Sequence, residues 1–518
     1  MSGNESGGTM MDGIRRFTLA LTLALCTVFP VQAAVTQELA TPANDSVEST
    51  REYIGQAYAR ARNQDLEGAA SALDLAIRSP GFVELEDIEQ YTALSLAARI
   101  SLDKRGPKRA YALFRRSSSY PYAEGGDWHG RFSGAFVTRD YGDAAYCVAT
   151  IATRWPQTLD EINNQAIFMI ASALQGDAEK ADFRFEMLSA LFAAGWTVDG
   201  GQPNYLWSNL ADELVRRGEV KQAALVASRI DSARAVLAMS VDKRFDPIVR
   251  RGGIAFDVEK VAMAELQAAE RRAADDAQQL RSIIELQYLL LDTLQAERAL
   301  ALADEVVDRV RDGKGPPIYR DFKSDYIWIL DNRSRALQRL GRWDEAVAQQ
   351  RKAALRPENG DMNVSQALNL GLLLAELDHP DEALSAVADL GDMSPYGRMQ
   401  LELVRLMAAV ERNDAPEVQR HLDFMREHRS DAPSTYQDAL LSAERLDEAA
   451  DLILERLRSE SLRGAVLTEI QEYAEVPSTP RQAERSRRRR EVLSRPQVQA
   501  ELKKVGRIAS FRLGPPFS

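Results

Sequence analysis

The chain has few of the residues that build catalytic or metal sites. Its 518 residues include two Cys and four His, and aromatic residues make up 7%. It contains no HExxH, CxxC, GxGxxG, P-loop or G-x-S-x-G motif. His421 and His428 would lie about 10 Å apart along one helix, too far to share a metal ion. We therefore expect no metal, no cofactor and no catalytic activity.

Cysteine is too scarce for a disulfide framework. Cys26 lies in an N-terminal run that we expect to be removed, which leaves Cys147 as a single thiol. One thiol cannot form an internal disulfide, so the count is compatible with an oxidising compartment without indicating one. Cys147 lies in the apolar stretch AAYCVATIA, which favours a small buried hydrophobe over a nucleophile.

The chain also lacks an apolar run of the roughly 20 residues that span a membrane. The best candidate, residues 17–29, follows the basic stretch MDGIRR and precedes Val31-Gln32-Ala33-Ala34, whose small residues suit a cleavage site. Residues 1–33 are therefore predicted to be a cleavable signal peptide, with Met10 or Met11 as the alternative start. The mature protein is predicted to be periplasmic or secreted.

Two other targeting signals fit less well. Arg15-Arg16-Phe17 resembles a twin-arginine signal, but its flanking residues do not match one. Leu23-Ala24-Leu25-Cys26 resembles a lipoprotein box, but the bulky Leu directly before the Cys departs from it. Ordinary cleavage after Ala33 or Ala34 explains the segment better, so we do not expect a lipid anchor at Cys26.

Alternating β-branched runs are nearly absent, whereas Ala and Leu are abundant, which indicates an all-α fold. Short amphipathic helices recur in pairs, and a small residue opens the second helix of most pairs. Consecutive anchor positions are 31 to 47 residues apart, with one gap of about two periods, which is typical of a solenoid. The anchors are Ala69, Ala110, Ala145, Ala181, Ala223, Ala299, Ala346, Ala383, Val418 and Ala449.

Residues 326–390 show the repeat most clearly. Ser334 and Ala346, and then Gly371 and Ala383, place small residues on facing sides of two helices. Small residues let the helix axes approach closely, and large neighbours fill the space around the crossing. Such a pair is apolar on more than one side, so it must stack on the next pair.

This pattern resembles the tetratricopeptide repeat (TPR), a 34-residue helix–turn–helix motif. The resemblance covers about residues 51–458 and implies a right-handed α-solenoid superhelix, as in bacterial exported TPR-like proteins. It departs from the motif at Arg333 and Gln350, which are polar where core residues are expected. The matching residues are Trp207, Leu210, Ala211, Leu214, Gly218 and Ala223; Leu330, Ser334, Leu337, Gly341, Trp343, Ala346, Ala353 and Pro357; and Leu370, Gly371, Leu374, Ala383 and Val387.

The pattern also predicts the boundaries of the solenoid. Residues 34–50 are polar and read as a flexible lead-in, residues 51–475 as the solenoid, and residues 476–518 as a basic C-terminal tail. Within the tail, residues 497–508 are predicted to cap the last repeat with one helix. The Gly/Pro-rich stretch 312–319 is either a long turn or a division into two arcs, and we favour one continuous superhelix.

In TPR solenoids the first helix of each pair lines a concave groove, so the resemblance implies a polypeptide-binding face. Trp328, Arg335 and Arg339 would form an aromatic and guanidinium patch of the kind that dominates interfaces. Alternatively, Trp328 belongs to the core and the arginines are solvated. The implied groove residues are Tyr205, Asp212, Arg216, Trp328, Asp331, Arg335, Gln338, Arg339, Leu368, Leu372 and Glu376.

The tail is basic within an acidic chain. Residues 476–518 hold eleven Lys or Arg and three Glu, whereas the whole chain has a net charge of −12. Nucleic acid is not expected as a partner of an exported protein. Three uses of the arginine run remain open: contact with anionic phospholipid or lipopolysaccharide, docking on the chain's own acidic body, or solvation. The run consists of Arg487, Arg488, Arg489 and Arg490.

Residues 124–131 (EGGDWHGR) look most like a functional loop, because Asp127, His129 and Arg131 lie in a Gly-rich stretch. The preferred hypothesis nevertheless remains an exported, non-enzymatic scaffold of the cell envelope that binds an unknown protein or peptide in its groove. One alternative is an envelope enzyme or glycan-binding protein that uses residues 124–131. The other is a membrane-surface scaffold held by the basic tail.

Overall fold

The computed structural model describes residues 46–198, 200–249, 256–312, 318–357 and 363–517. The chain divides into two compact units, unit 1 up to Glu213 and unit 2 from Leu214 onward. The predicted signal peptide and the targeting motifs around Arg15 and Cys26 lie outside the described residues. Within the described ranges, every helix is too short or too polar to serve as a membrane-spanning segment.

Unit 1 is a series of antiparallel helix pairs, in which each helix packs on the next. Residues Pro80–Glu84 and Pro156–Glu161 form 3-10 turns between pairs. Helix α9 begins in unit 1 and ends in unit 2. The helices are α1 (Val47–Arg62), α2 (Leu66–Arg78), α3 (Asp87–Lys104), α4 (Pro107–Ser117), α5 (Gly125–Val137), α6 (Tyr141–Arg154), α7 (Asn164–Ala173), α8 (Ala181–Ala193) and α9 (Asn204–Arg216).

Unit 2 continues the helical pairs and adds two short strands. A 3-10 turn spans Lys243–Phe245. The strands β1 (Glu472–Tyr473) and β2 (Ser510–Phe511) pair in parallel. The helices are α10 (Val220–Ala227), α11 (Ala233–Val241), α12 (Val258–Asp275), α13 (Leu280–Asp292), α14 (Ala296–Asp312), α15 (Phe322–Arg339), α16 (Trp343–Ala354), α17 (Val364–Glu376), α18 (Pro380–Ala386), α19 (Pro395–Glu411), α20 (Ala415–Glu427), α21 (Pro433–Ser442), α22 (Leu446–Arg458), α23 (Arg463–Glu469), α24 (Pro480–Leu493) and α25 (Pro496–Val505).

The small-residue anchors are the positions where helices cross. A fully buried alanine opens the second helix of most pairs, because only a methyl group fits between the two axes. Ala181 differs, since it is half-buried at the first position of α8. Gly371 shows the same constraint, because a Cβ there would lie 2.7 Å from Cγ1 of Val387. The anchors with 0% exposure are Ala69, Ala110, Ala145, Ala223, Ala299, Ala346, Ala383 and Ala449.

Tight turns connect the two helices of a pair. Gly341 between α15 and α16 has a φ of 70°, and Asp378 and Glu444 occupy the same left-handed region at 61° and 59°. Such a residue ends the first helix and reverses the chain within a few residues. These serial, antiparallel pairs confirm the predicted all-α, TPR-like solenoid within each unit.

Several predicted boundaries are different in the structure. Residues 47–50, predicted as flexible lead-in, form the first turn of α1, because Ser46 caps the helix and Thr50 is buried against Ser79. The two units divide at Glu213 and not at residues 312–319. The tail is folded, and α25 packs on α22, the second helix of the last pair. A capping helix was predicted there.

Candidate functional site

The side of α13, α15, α17 and α21 that carries Asp292, Arg335, Arg339, Glu376 and Asp438 is called the inner face here. These are first helices of successive pairs. The inner face is covered by residues 476–517, which we call the C-terminal segment. Helix α24 packs against α17, α21 and α22, and residues 513–517 lie on α13 and α15.

One buried arginine holds α24 on the inner face. Arg485 is 8% exposed, forms a charge-assisted hydrogen bond with Glu376, and places its Nε 3.9 Å from Oδ1 of Asp438. Thr479, the N-cap of α24, donates to the other oxygen of Glu376 at 3.3 Å. Glu376, implied by the resemblance to line an open groove, is therefore only 7% exposed.

Other basic side chains of α24 also bind the chain itself. Arg488 donates to the carbonyl oxygens of Leu441 and Ser442 at 2.8 and 2.9 Å, which satisfies the free carbonyls at the end of α21. Arg489 donates to Asp438 at 2.6 Å. Docking on the acidic body, one of the three uses foreseen for the arginine run, is thus observed for these two residues. Arg487 and Arg490 remain exposed.

Three guanidinium groups receive the end of the segment. Arg234 binds both oxygens of Asp292 at 2.8 and 2.9 Å and donates to the carbonyl oxygen of Gly514 at 2.6 Å. Arg339 donates to the carbonyl oxygen of Pro515. Its guanidinium carbon lies 4.0 Å from the centre of the Phe517 ring. The site therefore contacts both main-chain acceptors and an aromatic face.

The arginine cluster is electrostatically strained. Burial lowers the pKa of Arg339 to about 10; Asp292 raises it in part, and the like charges of Arg234 and Arg335 lower it further. Arg335 is better compensated, because its Nε donates to Asp331 at 2.6 Å. Its guanidinium carbon lies 4.9 Å from the Phe517 ring centre. A cluster of this kind attracts acceptor oxygens and π faces.

Main-chain contacts hold the segment in an extended form. Ala474 donates to the carbonyl oxygen of Leu513 at 3.0 Å, and Gly514 donates to that of Asp292 at 2.8 Å. Gly514 approaches α13 so closely that a Cβ would lie 3.0 Å from the carbonyl oxygen of Leu291. Glycine is needed here for space, since its backbone passes directly against the helix end.

The implied groove residues on α15 and α17 have different environments. Asp331 is 1% exposed and accepts from Asn369 at 2.9 Å and Gln350 at 3.3 Å, so it joins helices inside the core. Gln350 also donates to Gln366 at 2.6 Å. This buried polar network explains why a polar residue occupies an apolar slot of the motif. Asp331 is therefore not an accessible groove residue.

The remaining implied positions are less uniform. Trp328 is half-buried against the core cluster around Tyr326, which agrees with the alternative that placed it in the core. Leu368 is buried at 6% exposure, whereas Leu372 and Gln338 are half-buried. Only Arg335, Arg339 and Glu376 of the predicted set contact the C-terminal segment through a hydrogen bond, an ion pair or a ring.

The three implied residues of α9 lie at the junction of the two units. Tyr205 is 51% exposed and donates to Oε1 of Gln175 at 2.9 Å. Asp212 is half-buried and Arg216 is exposed. No contact with the C-terminal segment supports a binding role for them, so that role stays a prediction.

Residues 124–131 are not a loop. Glu124 and Asp127 form a capping box that starts α5, and the rest of the stretch is helical. The glycines serve packing: a Cβ on Gly130 would lie 2.3 Å from Cζ of Phe114, and Gly125 lies against Trp155. The prediction of a flexible Gly-rich loop was therefore wrong, because these glycines allow close contact between helices.

The ionisable groups of this stretch are bound by the fold. Asp127 is fully buried and accepts from three hydroxyl groups. Arg131 forms a two-point ion pair with Asp143 and lies over the ring of Trp128. Nε2 of His129 lies 2.9 Å from the hydroxyl of Thr158. These contacts account for the acid, the guanidinium and the imidazole as structural groups.

The burial of His129 predicts an acid-sensitive unit 1. Burial lowers the pKa of His129 to about 4, against about 6.5 in the unfolded chain. The unfolded state therefore binds the proton first, and stability is lost as pH falls from 6.5 towards 4. We expect unit 1 to lose about 2 kcal/mol between pH 7 and pH 5.

Amide hydrogen exchange in α5 and α6 at both pH values measures this loss. In the His129→Gln variant, which keeps a polar group near Thr158, the loss should shrink to a few tenths of a kcal/mol. The equivalent exposed variant is His379→Gln, since His379 lies at a surface turn of unit 2. An equal pH dependence in the His129→Gln and wild-type chains would refute the assignment.

Cys147 and metal ligation give no sign of chemistry. Cys147 has 0% exposure, and burial raises the pKa of its thiol, which agrees with the prediction of a small buried hydrophobe. Across the described ranges, no cluster of three or more His, Cys, Asp or Glu side chains is arranged to hold a metal ion.

Known proteins resemble this chain only distantly. No family model matches it, and no curated protein sequence matches it. A solved structure of Naa15/Naa10 bound to HypK-THB is similar at 11% identity and a TM-score of 0.23, covering 82% of this chain and 66% of that one. Yeast Tom70 is similar at 12% identity and a TM-score of 0.19, covering 88% and 99%. The fold assignment therefore rests on the helix pairs of this chain.

Sequence reasoning did not identify the residues that occupy the inner face. Pro515 and Phe517 belong to the final Gly-Pro-Pro-Phe stretch, which was noted only as a break in helical character. Arg234 and Asp292 lie in the part of the repeat pattern that was least clear. One signal was present, because an extended Pro-Pro pair followed by an aromatic residue is a common form of peptide ligand.

Proposed function

We propose that this protein is an exported, non-enzymatic scaffold that binds another polypeptide on the inner face of unit 2. One observation carries the proposal: the inner face already holds an extended polypeptide, residues 513–517 of the same chain. Arginine hydrogen bonds to main-chain carbonyls and a guanidinium–aromatic contact are the interactions that hold it. They are interactions that a segment of another protein could make equally well.

The predicted signal peptide supports an envelope location for the scaffold. Its basic start, short apolar run and small-residue cleavage site are typical of export. The absence of catalysis is proposed because the one stretch that looked like a functional loop uses its ionisable groups within the fold. Lipid contact is a weaker proposal, since Arg488 and Arg489 bind α21 and only Arg487 and Arg490 are exposed.

Site-specific photo-crosslinking in cells tests the proposal. A benzophenone amino acid is placed at Gln338 or Leu372, which are half-buried positions among the implied groove residues of α15 and α17. The matched control position is Arg351 on α16, a second helix, where the side chain is exposed and pairs with Glu382. We expect adducts with another polypeptide from the first two positions and none from the control.

Two further results complete the test. The Arg335→Ala/Arg339→Ala variant should lose the adducts, because it removes two guanidinium groups of the inner face. Adducts only from position 351, or adducts that survive the double variant unchanged, would remove the inner face as the binding surface. Fractionation of the cells in the same experiment shows whether the adducts form in the envelope.

A further inference from the structure

We propose that residues 513–517 are an internal ligand, and that a partner segment with the same chemistry, an extended Gly-Pro-Pro-aromatic stretch, displaces them. This inference rests on the proposed function, because displacement requires a partner that uses the inner face. It adds the chemical class of the partner segment. It also means that the protein keeps its own binding surface closed until such a partner arrives.

The hydrogen-bonding groups of the site match a proline-containing segment. Arg234 and Arg339 present guanidinium groups, which only donate hydrogen bonds. The segment offers the carbonyl oxygens of Gly514 and Pro515 to them. Proline has no backbone N–H, so Pro515 and Pro516 bring acceptors to the cluster and no donors that would need a partner. A segment without proline would place N–H groups against these cations.

The aromatic residue gives the segment its anchor. The ring centre of Phe517 lies 4.0 Å from the guanidinium carbon of Arg339 and 4.9 Å from that of Arg335. The ring also packs against the core cluster that includes Leu291 and Leu337. An aromatic side chain two or three residues after the arginine-bound carbonyls is therefore part of the predicted partner motif.

The internal ligand leaves part of the cluster unused. Nε of Arg339 and one terminal nitrogen of Arg234 are buried, and among the described residues neither has a hydrogen-bond partner. Buried donors without acceptors cost free energy, so the internal contact is weaker than the site allows. A partner segment that supplies one more acceptor oxygen there would bind more tightly than residues 513–517 and could replace them.

The attachment of the segment is also uneven along its length. Residues 480–493 are fixed by the buried ion pair of Arg485, and Arg507 is fixed by hydrogen bonds to Asp246 and to the carbonyl oxygens of Ser240 and Val241. Beyond Arg507, the strand pair covers two residues, and Pro516 is exposed. The last residues can therefore leave the inner face while α24 and α25 stay in place.

Binding of a labelled peptide to the full chain tests the inference. The probe is fluorescein-labelled SFRLGPPF, the sequence of residues 510–517, and a peptide with Ala in place of the last Phe is the control. The Phe517→Ala chain, whose own anchor is removed, should bind the probe at least tenfold more tightly than the wild-type chain. The Ile508→Ala chain, which truncates an exposed side chain of the same segment, should bind like wild type.

Adding Arg339→Ala to the Phe517→Ala chain should abolish the gain. Equal affinity of the wild-type and Phe517→Ala chains for the probe would overturn the inference. A gain for the control peptide as large as for the probe would overturn it as well, because the ring would then be irrelevant. A probe-sensitive dimer of the Phe517→Ala chain would also overturn it, since a second copy would then be the occupant.

A second measurement covers the case in which Phe517→Ala does not fold. Amide exchange at residues 510–514 of the wild-type chain should rise at least tenfold when unlabelled probe is added in large excess, and exchange in α24 should not change. No rise at saturating probe would overturn the inference. Partner adducts at Gln338 without any probe effect would leave the proposed function intact and remove only the internal ligand.

Discussion

The Arg485→Ala variant is expected to destabilise unit 2 by about 3–5 kcal/mol. Arg485 is buried and binds Glu376, and Asp438 lies 3.9 Å from its Nε. Its removal leaves carboxylates facing each other without a cation in a site with little water. Breaking a buried ion pair by removing one partner costs far more than breaking an exposed pair, because the remaining charge cannot be solvated.

The same helix provides a matched control. Arg487 is two residues away, is exposed, and pairs with Glu484 on its own helix. Arg487→Ala should therefore change stability by no more than about 0.5 kcal/mol. Both variants remove one positive charge from α24, so the comparison separates burial of the ion pair from net charge.

Amide hydrogen exchange in α24 and α17 measures the two effects separately from unit 1. In Arg485→Ala, protection should fall in both helices, and trypsin should cut the exposed arginine run much faster. Equal protection in Arg485→Ala and Arg487→Ala would contradict the view that one buried cation holds the C-terminal segment on the inner face.

Local rules of sequence were sufficient for the fold. The spacing of small residues identified helix crossings, and eight of the predicted anchor alanines have 0% exposure because no larger side chain fits there. The first-helix positions Arg335, Arg339 and Glu376 were implied as binding positions, and they do contact polypeptide. This part of the site follows from helical periodicity alone.

The identity of that polypeptide could not be read locally. Arg485 meets Glu376 across 109 residues of sequence, and Arg234 meets Gly514 across 280. No periodic pattern links such distant positions, so the charge count gave docking on the acidic body only as one of three uses. Long-range pairing of this kind depends on the path of the whole chain and not on local propensity.

Glycine misled the sequence reasoning at residues 124–131. A glycine that gives a loop freedom and a glycine that lets two helices touch are the same letter in a sequence. The position of Gly130 against Phe114 decides between them in this case. The capping box of Glu124 and Asp127 was a local signal for a helix start, and it would have corrected the loop prediction.

The Asp127→Ala variant is expected to destabilise unit 1 by about 3–5 kcal/mol. Asp127 accepts from the hydroxyl groups of Tyr91 at 2.9 Å, Ser95 at 2.6 Å and Ser117 at 3.2 Å, which lie on α3 and α4. Its removal leaves buried donors without an acceptor and also removes half of the capping box of α5. Burial and the nearby Asp127 raise the pKa of Tyr91, so this hydroxyl remains a proton donor at every physiological pH.

Hydrogen exchange in α3 and α5 distinguishes this structural role from a catalytic one. Asp127→Asn keeps one acceptor oxygen and should retain more of the stability than Asp127→Ala does. The surface control is Asp87→Ala, an exposed acid in the first turn of α3, which should cost less than about 1 kcal/mol. If Asp127→Ala were as stable as Asp87→Ala, the carboxylate would not be needed by the fold. Its burial at 0% exposure would then have to serve another purpose, and the enzyme hypothesis for this stretch would regain support.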